Sequence, residues 1–438
     1  MGFDLIKHIV NEKNNEIVIW IFNIGVEKYW NVEYSCVKNS KGDIIVNHSE
    51  EMMLLLARKG DYVILRKKPS EFYLNNFKKY KKDMPNILYP KLVNEDKSIT
   101  EIILDDYDLI SKIKFIQEKN KNVYLVPYGV TYNEEKLAKL CHLTLIGNSS
   151  KKCRKLNDKV LARVISKDLG FNTTNAILCK NFDEIKEFSE KMLSKYKKIV
   201  IKTPYNASGK GMWIVDSNQK YNVTLKVIKR YIRKNPNTQW LIEEWVDNKI
   251  DLNYQIYISE TGDVNVFSIK EQILQDTVYI GSYIPPRINR DMYFKFIKYG
   301  ENLGKYLFKK GYKGVFGIDA LIINNIDTVP ILEINCRFTL STYIFFFEML
   351  YKDKRIFSFY VNISTTKTIT YSQILKIFEK KLLMFDGEKG VICYVEATVD
   401  SKLADGYSRI FLVLIGDNEE DIKKQYYSVN NILKSFIS

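Results

Sequence analysis

Residues 315–338, "VFGIDALIINNIDTVPILEINCRF", read as two extended runs, "VFGIDALII" (315–323) and "TVPILEINCRF" (328–338), joined by the turn signal "NNID". Asp319 and Glu333 lie 14 residues apart on these successive strands. A hairpin that pairs them brings two carboxylates to one side, where they repel unless a cation sits between them. Glu333, Asn335 and Arg337 follow at intervals of two and so project from one face of one strand. An acid, an amide and a guanidinium beside a second acid suit Mg²⁺ bridging nucleotide phosphates, with the arginine next to an anionic substrate. The competing reading is a structural salt bridge between Glu333 and Arg337.

Upstream, "IDLNYQIYIS" (250–259) and "DVNVFSIKEQIL" (263–274) extend the alternating pattern through the turn signal "ETGD", so this region reads as an antiparallel sheet. Before it, "IKTPYNASGKGM" (201–212) places Lys202 on a strand and then a loop of small and basic residues. Such a hairpin can fold over a polyphosphate, its N–H groups meeting oxygens and its lysines neutralising charge. The order matches neither GxxxxGK[ST] nor GxGxxG, and alone it reads as an exposed turn. A helix is expected over "LNDKVLARVISKDLG" (156–170), capped by Asn157 or Asp158 and stopped at Gly170, and another near 222–234. The first 150 residues alternate short apolar strands (16–25, 61–67, 122–129, 143–149) with polar helices such as "NEEKLAKLC" (133–141), the pattern of a parallel sheet. The tail, "KGVICYVEATV" (389–399) and "YSRIFLVLIG" (407–416) followed by a helix, reads as a compact αβ unit.

The chain has 438 residues, 46% hydrophobic, enough to bury a sizeable core in about two to four domains. Its formal charge of +15 attracts anions without selecting among them. The six cysteines form no CxxC pair or metal-finger spacing, which points to free thiols and the cytoplasm. No run reaches the roughly 18 apolar residues that span a bilayer, and Asp4 and Lys7 make the N-terminus a poor signal peptide. His8, His48 and His142 sit in no motif. A nucleic-acid-binding role is allowed by the charge but lacks any recognisable module.

Taken in order, Lys159 in "NDK", Lys202 in "VIK", the loop Asn206 to Gly211, the hinge "EEWV" (243–246), Asp319 in "GID" and "EINCR" (333–337) make the chain resemble the ATP-grasp enzymes over roughly residues 150–350. Cys336 stands where that family usually has proline or threonine. "FNIGVEKYWN" (22–31), "VPYGVT" and the tail resemble the subgroup with a pre-ATP-grasp domain, which includes peptide ligases of natural-product pathways and ligases that load amino acids onto carrier proteins. The fold implied is mixed α/β and α+β: a parallel-sheet pre-ATP-grasp domain (1–150), a small αβ lid (151–247), an antiparallel catalytic subdomain (248–360) and a C-terminal αβ unit packed on it (361–438).

The resemblance also implies roles. Lys159 and Lys202 would contact the α and β phosphates of ATP, and Asn206, Ser208, Gly209, Lys210 and Gly211 would close over the γ-phosphate. Glu243 would accept from the adenine amino group beside the Val246 backbone, with Glu244 and Trp245 in the same hinge, and Asp251 would bind the ribose. Asp319, Glu333 and Asn335 would hold one or two Mg²⁺ ions, and Arg337, with Lys202, Lys270 and Arg287, would stand near the substrate. The reaction implied is carboxylate–amine ligation through an acyl phosphate, on an amino acid or peptide. The alternative acceptor is the phosphopantetheine thiol of an acidic acyl carrier protein, which the positive charge suits. The aromatic run "YIFFFEMLY" (343–351) reads as a core helix or, failing that, a contact between copies of the chain.

Overall fold

The protein is described by a computed structural model over residues 3–10, 16–30, 41–203, 211–234, 239–400 and 402–436, without the side chains of Lys41 and Lys234. Five parallel strands come first: β1 (Ile17–Ile21), β2 (Tyr62–Ile64), β3 (Asn86–Leu88), β4 (Val123–Pro127) and β5 (Thr144–Leu145), in the order β3-β2-β1-β4-β5. The runs of the central β1 and β4 are almost wholly buried because both faces are covered. Ile19, Ile21, Ile64 and Leu125 pack with Ile113 and Leu137 of the flanking helices, while Val18, Trp20, Val63 and Val126 join the main core. The strands are shorter than the apolar runs, and β3 lies in "PNILYP", a stretch too brief to show an alternation.

The second sheet is antiparallel: β6 (Ala176–Cys179), β7 (Ile199–Lys202), β8 (Met212–Val215) and β9 (Trp240–Glu244), in the order β6-β9-β7-β8. Ile199, Ile201, Trp240 and Ile242 bury one face beneath the helices Phe182–Lys195 and Asn218–Lys234. By alternation Lys202 and Glu243 stand on the other face. The helix expected over 156–170 is two helices, Ser150–Leu156 and Lys159–Asp168. Asn157 turns back to bond the Cys153 carbonyl, and Asp158 leaves the helical conformation to cap Val160. The break makes Lys159 the first residue of a helix.

The third sheet has eight strands: β10 (Lys249–Ile258), β11 (Val264–Gln275), β12 (Val278–Ile284), β13 (Gly314–Ile323), β14 (Asp327–Asn335), β15 (Arg355–Ser364), β16 (Gly390–Cys393) and β17 (Tyr407–Gly416), in the order β14-β13-β10-β11-β12-β15-β17-β16. Helix Arg290–Lys309 covers one face at close range; a Cβ on Gly304 would lie 2.4 Å from Val264 Cγ1. The aromatic run forms helix Leu340–Leu350, buried from Ser341 to Phe347, which makes it core. A boundary at 360 would cut through β15, since β15 to β17 continue the same sheet. This C-terminal part is also tied to the first sheet's domain: buried Glu51 accepts the N–H groups of Glu396 and Ala397, and the Tyr73 hydroxyl donates to the Tyr394 carbonyl.

Candidate active site

Register partners carry a polar row across the eight-stranded sheet. Lys270 of β11 lies opposite Asn253 of β10, Asn253 opposite Asp319 of β13, and Asp319 opposite Glu333 of β14. Directly opposed residues share a face, so the two acids point the same way. Asp319 Oδ1 accepts from Asn253 Nδ2 (2.7 Å) and Gln272 Nε2 (2.6 Å), and Oδ2 from Asn335 Nδ2 (3.1 Å). Burial, and then the charge of Glu333, push the Asp319 carboxyl up to about 6. Three amide donors thus fix an acid that repels its neighbour, a state that a cation between the two carboxylates relieves. Glu333 Oε1 lies 3.1 Å from Lys159 Nζ, which the helix break delivers to this row. Among the described residues no cluster of three or more Asp, Glu, His or Cys side chains surrounds a metal position; the donor set here is two carboxylates and an amide, oxygen ligands of the kind Mg²⁺ takes.

On the open face of the second sheet, Glu243 is buried between two cations: Lys202 Nζ is 2.5 Å from Oε2 and Arg163 Nη1 is 3.2 Å from Oε1. Glu243 is thus the shared counter-charge of two basic side chains on this face. Glu244 bonds the N–H and side-chain amide of Asn175 (2.9 and 3.0 Å), and Trp245 lies under Lys249 Nζ, 4.5 Å from the ring centre. Val246, by contrast, makes no backbone hydrogen bond among the described residues. Asp251 pairs with Lys249 at 2.9 Å. Gly211 has φ +69° and accepts from Thr203 N–H at 3.2 Å, closing the β7–β8 hairpin. Asn206, Ser208, Gly209 and Lys210 fall outside the described residues.

Arg337 turns away from Glu333. Its Nη2 lies 2.7 Å from Glu27 Oε1, its Nη1 donates to the Tyr128 hydroxyl and the Phe338 carbonyl (3.0 Å each), and its Nε is buried with no acceptor among the described residues. Burial pulls its proton affinity down, but Glu27, Tyr128, Glu333 and Asp319 outweigh that and raise it. The competing Glu333–Arg337 bridge is therefore not formed; the arginine joins the end of β14 to Glu27 and Tyr128 of the first domain. Lys270 is fully buried, bonded to Ser268 Oγ at 2.6 Å with Glu348 Oε2 at 3.4 Å, and burial lowers its proton affinity. Arg287 pairs through Nε and Nη2 with Glu271, on the opposite pleat from Lys270. Neither side chain joins the Asp319–Glu333 group.

Sequence reasoning passed over Arg163, Asn253, Gln272, Glu27 and Tyr128. Asn253 carried a signal: an amide at the inward position of a strand otherwise apolar at Leu252 and Tyr254. Glu27, which opens helix Glu27–Trp30, and Tyr128, just after β4, lie in segments quoted only for their resemblance, because their approach to β14 is a tertiary matter.

A family described as L-aspartate–L-methionine ligase, ATP grasp, matches residues 180–335. A curated relative, the butirosin acyl-carrier protein–L-glutamate ligase of Niallia circulans, is 26% identical over 336 residues, 76% of this chain and 74% of that protein. An N5-carboxyaminoimidazole ribonucleotide synthetase solved with ADP superposes with TM-score 0.58 at 15% identity, covering 95% of this chain and 96% of the other. A biotin carboxylase–nucleotide complex from Campylobacter jejuni gives TM-score 0.60 at 12% identity, covering 95% and 90%. At such identities the solved structures speak for the fold alone.

Proposed function

We propose that this chain, an ATP-grasp ligase by its fold and by the family it matches, uses ATP to activate the carboxylate of an amino acid or peptide as an acyl phosphate and joins it to an amine. The observation that carries this reading is the register pair Asp319–Glu333 with Asn335 bonded to it and Lys159 3.1 Å away. In this reading Asp319, Glu333 and Asn335 hold Mg²⁺, which when bound supplies charge neutralisation at the phosphoryl group. Lys159 and Lys202 meet the phosphates, Gly211 and its loop shield the acyl phosphate from water, and the Val246 backbone meets the adenine edge while Asp251 meets the ribose. Glu243 holds Lys202 and Arg163 in place and keeps lone pairs for the adenine amino group. Arg337 would stand near the activated carboxyl and stabilise its charge.

A second reading takes the acceptor as the thiol of an acidic carrier protein. It is favoured by the Niallia circulans relative and by helix Ser150–Leu156, which exposes Lys151, Lys152, Arg154 and Lys155 and packs beside helix Glu27–Trp30 at the Arg337 end of the site. ADP release with ATP and Mg²⁺ against amino acids offered singly and in pairs, with mass spectrometry of the products, tests both. ADP with a new condensation product supports the amine reading. ADP only when a phosphopantetheinylated carrier is added supports the thiol, and no ADP under any condition overturns both.

A further inference from the structure

The order β3-β2-β1-β4-β5 makes β1 and β4 neighbours from which the chain departs in opposite directions. In open parallel sheets the crevice at the carboxyl ends of two such strands is where ligands bind. Here one wall is the segment after β1, from Phe22 to Glu27, and the other is Tyr128 to Val130 after β4. Asn23 holds the walls together through Gly129 O (2.7 Å) and Gly129 N–H (3.2 Å), and Trp30 Nε1 bonds the Val130 carbonyl at 2.9 Å. The roof is the catalytic strand's own extension, because Arg337 reaches over the Tyr128 ring, 5.2 Å from its centre, to Glu27. The crevice of the first domain and the acidic row therefore share one arginine.

The pairing is uneven. The Arg337 side chain is 7% exposed, while that of Glu27 is 26% exposed and uses only Oε1. Its Oε2 has no partner among the described residues. The other acids around it have tasks: Asp319 and Glu333, which also act on Arg337, face each other, and Glu101 accepts from the Tyr29 hydroxyl. A half-used, water-accessible carboxylate held beside a buried guanidinium suits a cationic group, the ammonium of an incoming amine.

We propose that Glu27 is the binding group and general base for the incoming primary amine of an amino acid or peptide; this rests on the amine-ligase reading above. The ammonium docks on Oε2 and gives it one proton. The freed nitrogen lone pair forms the C–N bond, the bond from the acyl carbon to the phosphate oxygen breaks with its electron pair leaving on phosphate, and the departing phosphate takes the second nitrogen proton. No oxidant or reductant is involved. Tyr128 is a positioning residue, holding Arg337 against Glu27 through its hydroxyl.

The test separates activation from amine capture. Wild type, Glu27→Gln and Glu27→Asp are each given ATP, Mg²⁺ and a mixture of the proteinogenic amino acids, with and without hydroxylamine, a nucleophile already neutral near pH 7. Hydroxamate reports acyl phosphate; amide reports capture of an ammonium. For Glu27→Gln the ratio of amide to hydroxamate falls by about 10², the scale of general-base catalysis, recovers as pH rises toward the amine's own pKa, and is partly restored in Glu27→Asp. An unchanged ratio, with both products lowered together, overturns the proposal and leaves Glu27 as a prop for Arg337. Absence of hydroxamate from wild type removes the ligase reading and this assignment with it.

Discussion

Lys159 Nζ stands 3.1 Å from Glu333 Oε1, so the opening residue of one helix and a carboxylate of β14 close an ion pair at the edge of the acidic row. The pair joins a group assigned to phosphate with one assigned to the metal. Replacing Glu333 with Gln keeps the shape and removes the charge that both functions share. The expected loss is about 10² to 10⁴ in kcat, the scale of a lost electrostatic group, read as ADP release. Near-full activity would remove Glu333 from the metal site.

Glu243→Ala should act on stability before chemistry. It strands Lys202, 6% exposed, and Arg163, 17% exposed, without their shared counter-charge. Breaking a buried pair from one side costs about 3–5 kcal/mol, and chemical denaturation should show it. A loss confined to ATP affinity, at unchanged stability, would instead assign Glu243 to the nucleotide alone.

Arg337→Lys keeps the charge but not the fork. An ammonium cannot at once serve Glu27, the Tyr128 hydroxyl and the Phe338 carbonyl, which the guanidinium reaches from two nitrogens. Activity should fall about 10²-fold with ATP affinity little changed; steady-state kinetics with each substrate varied in turn checks this. A rise in the KM for ATP alone would contradict it.

The buried Glu51 gives the fold a pH dependence. Burial, opposed by the N–H groups of Ala397 and Glu396 and reinforced by the Glu396 charge, raises its carboxyl to about 8 from an ordinary value of 4.5. A raised folded-state value means stability present in full below about 4.5 and lost as pH climbs toward 8. Glu51→Gln supplies a neutral oxygen to the same N–H groups. It should match wild type in Tm at acidic pH and exceed it above pH 8; parallel melting curves for the two proteins would contradict the sign.

The sequence displayed the parts whose physics is local. Glu333 and Asn335 are spaced by two on one strand and Asp319 stands on the strand before the turn, and the sheet pairs Asp319 with Glu333, with a register shift just beyond Asp319. The helix break at Asn157–Asp158 was half visible, since both residues were named as caps though not as the end of one helix and the start of another. What stayed hidden depends on distant partners. Arg337 shares a face with Glu333 by alternation, yet a long side chain chooses its partner in three dimensions, and Glu27 with Tyr128 wins. Lys270 shares the row by register but bends to Ser268 and Glu348 beneath an aromatic helix. Strands β12 and β15, in "TVYIGSYI" and "KRIFSFYVNIST", received no reading, and with them went the continuity of the eight-stranded sheet.

That continuity bears on how the polypeptide is made. β17, the strand latest in the sequence, lies between β15 and β16 rather than outside them. Until residues 407–416 have been synthesised, β15 offers nascent chains an open row of N–H and C=O groups, and β16 has no neighbour to lie against. A ribosome that stalls short of this point releases a sticky half-sheet. Production of active protein should therefore depend on uninterrupted translation and chaperone capture of the unfinished edge more than on the speed of the first domain's folding.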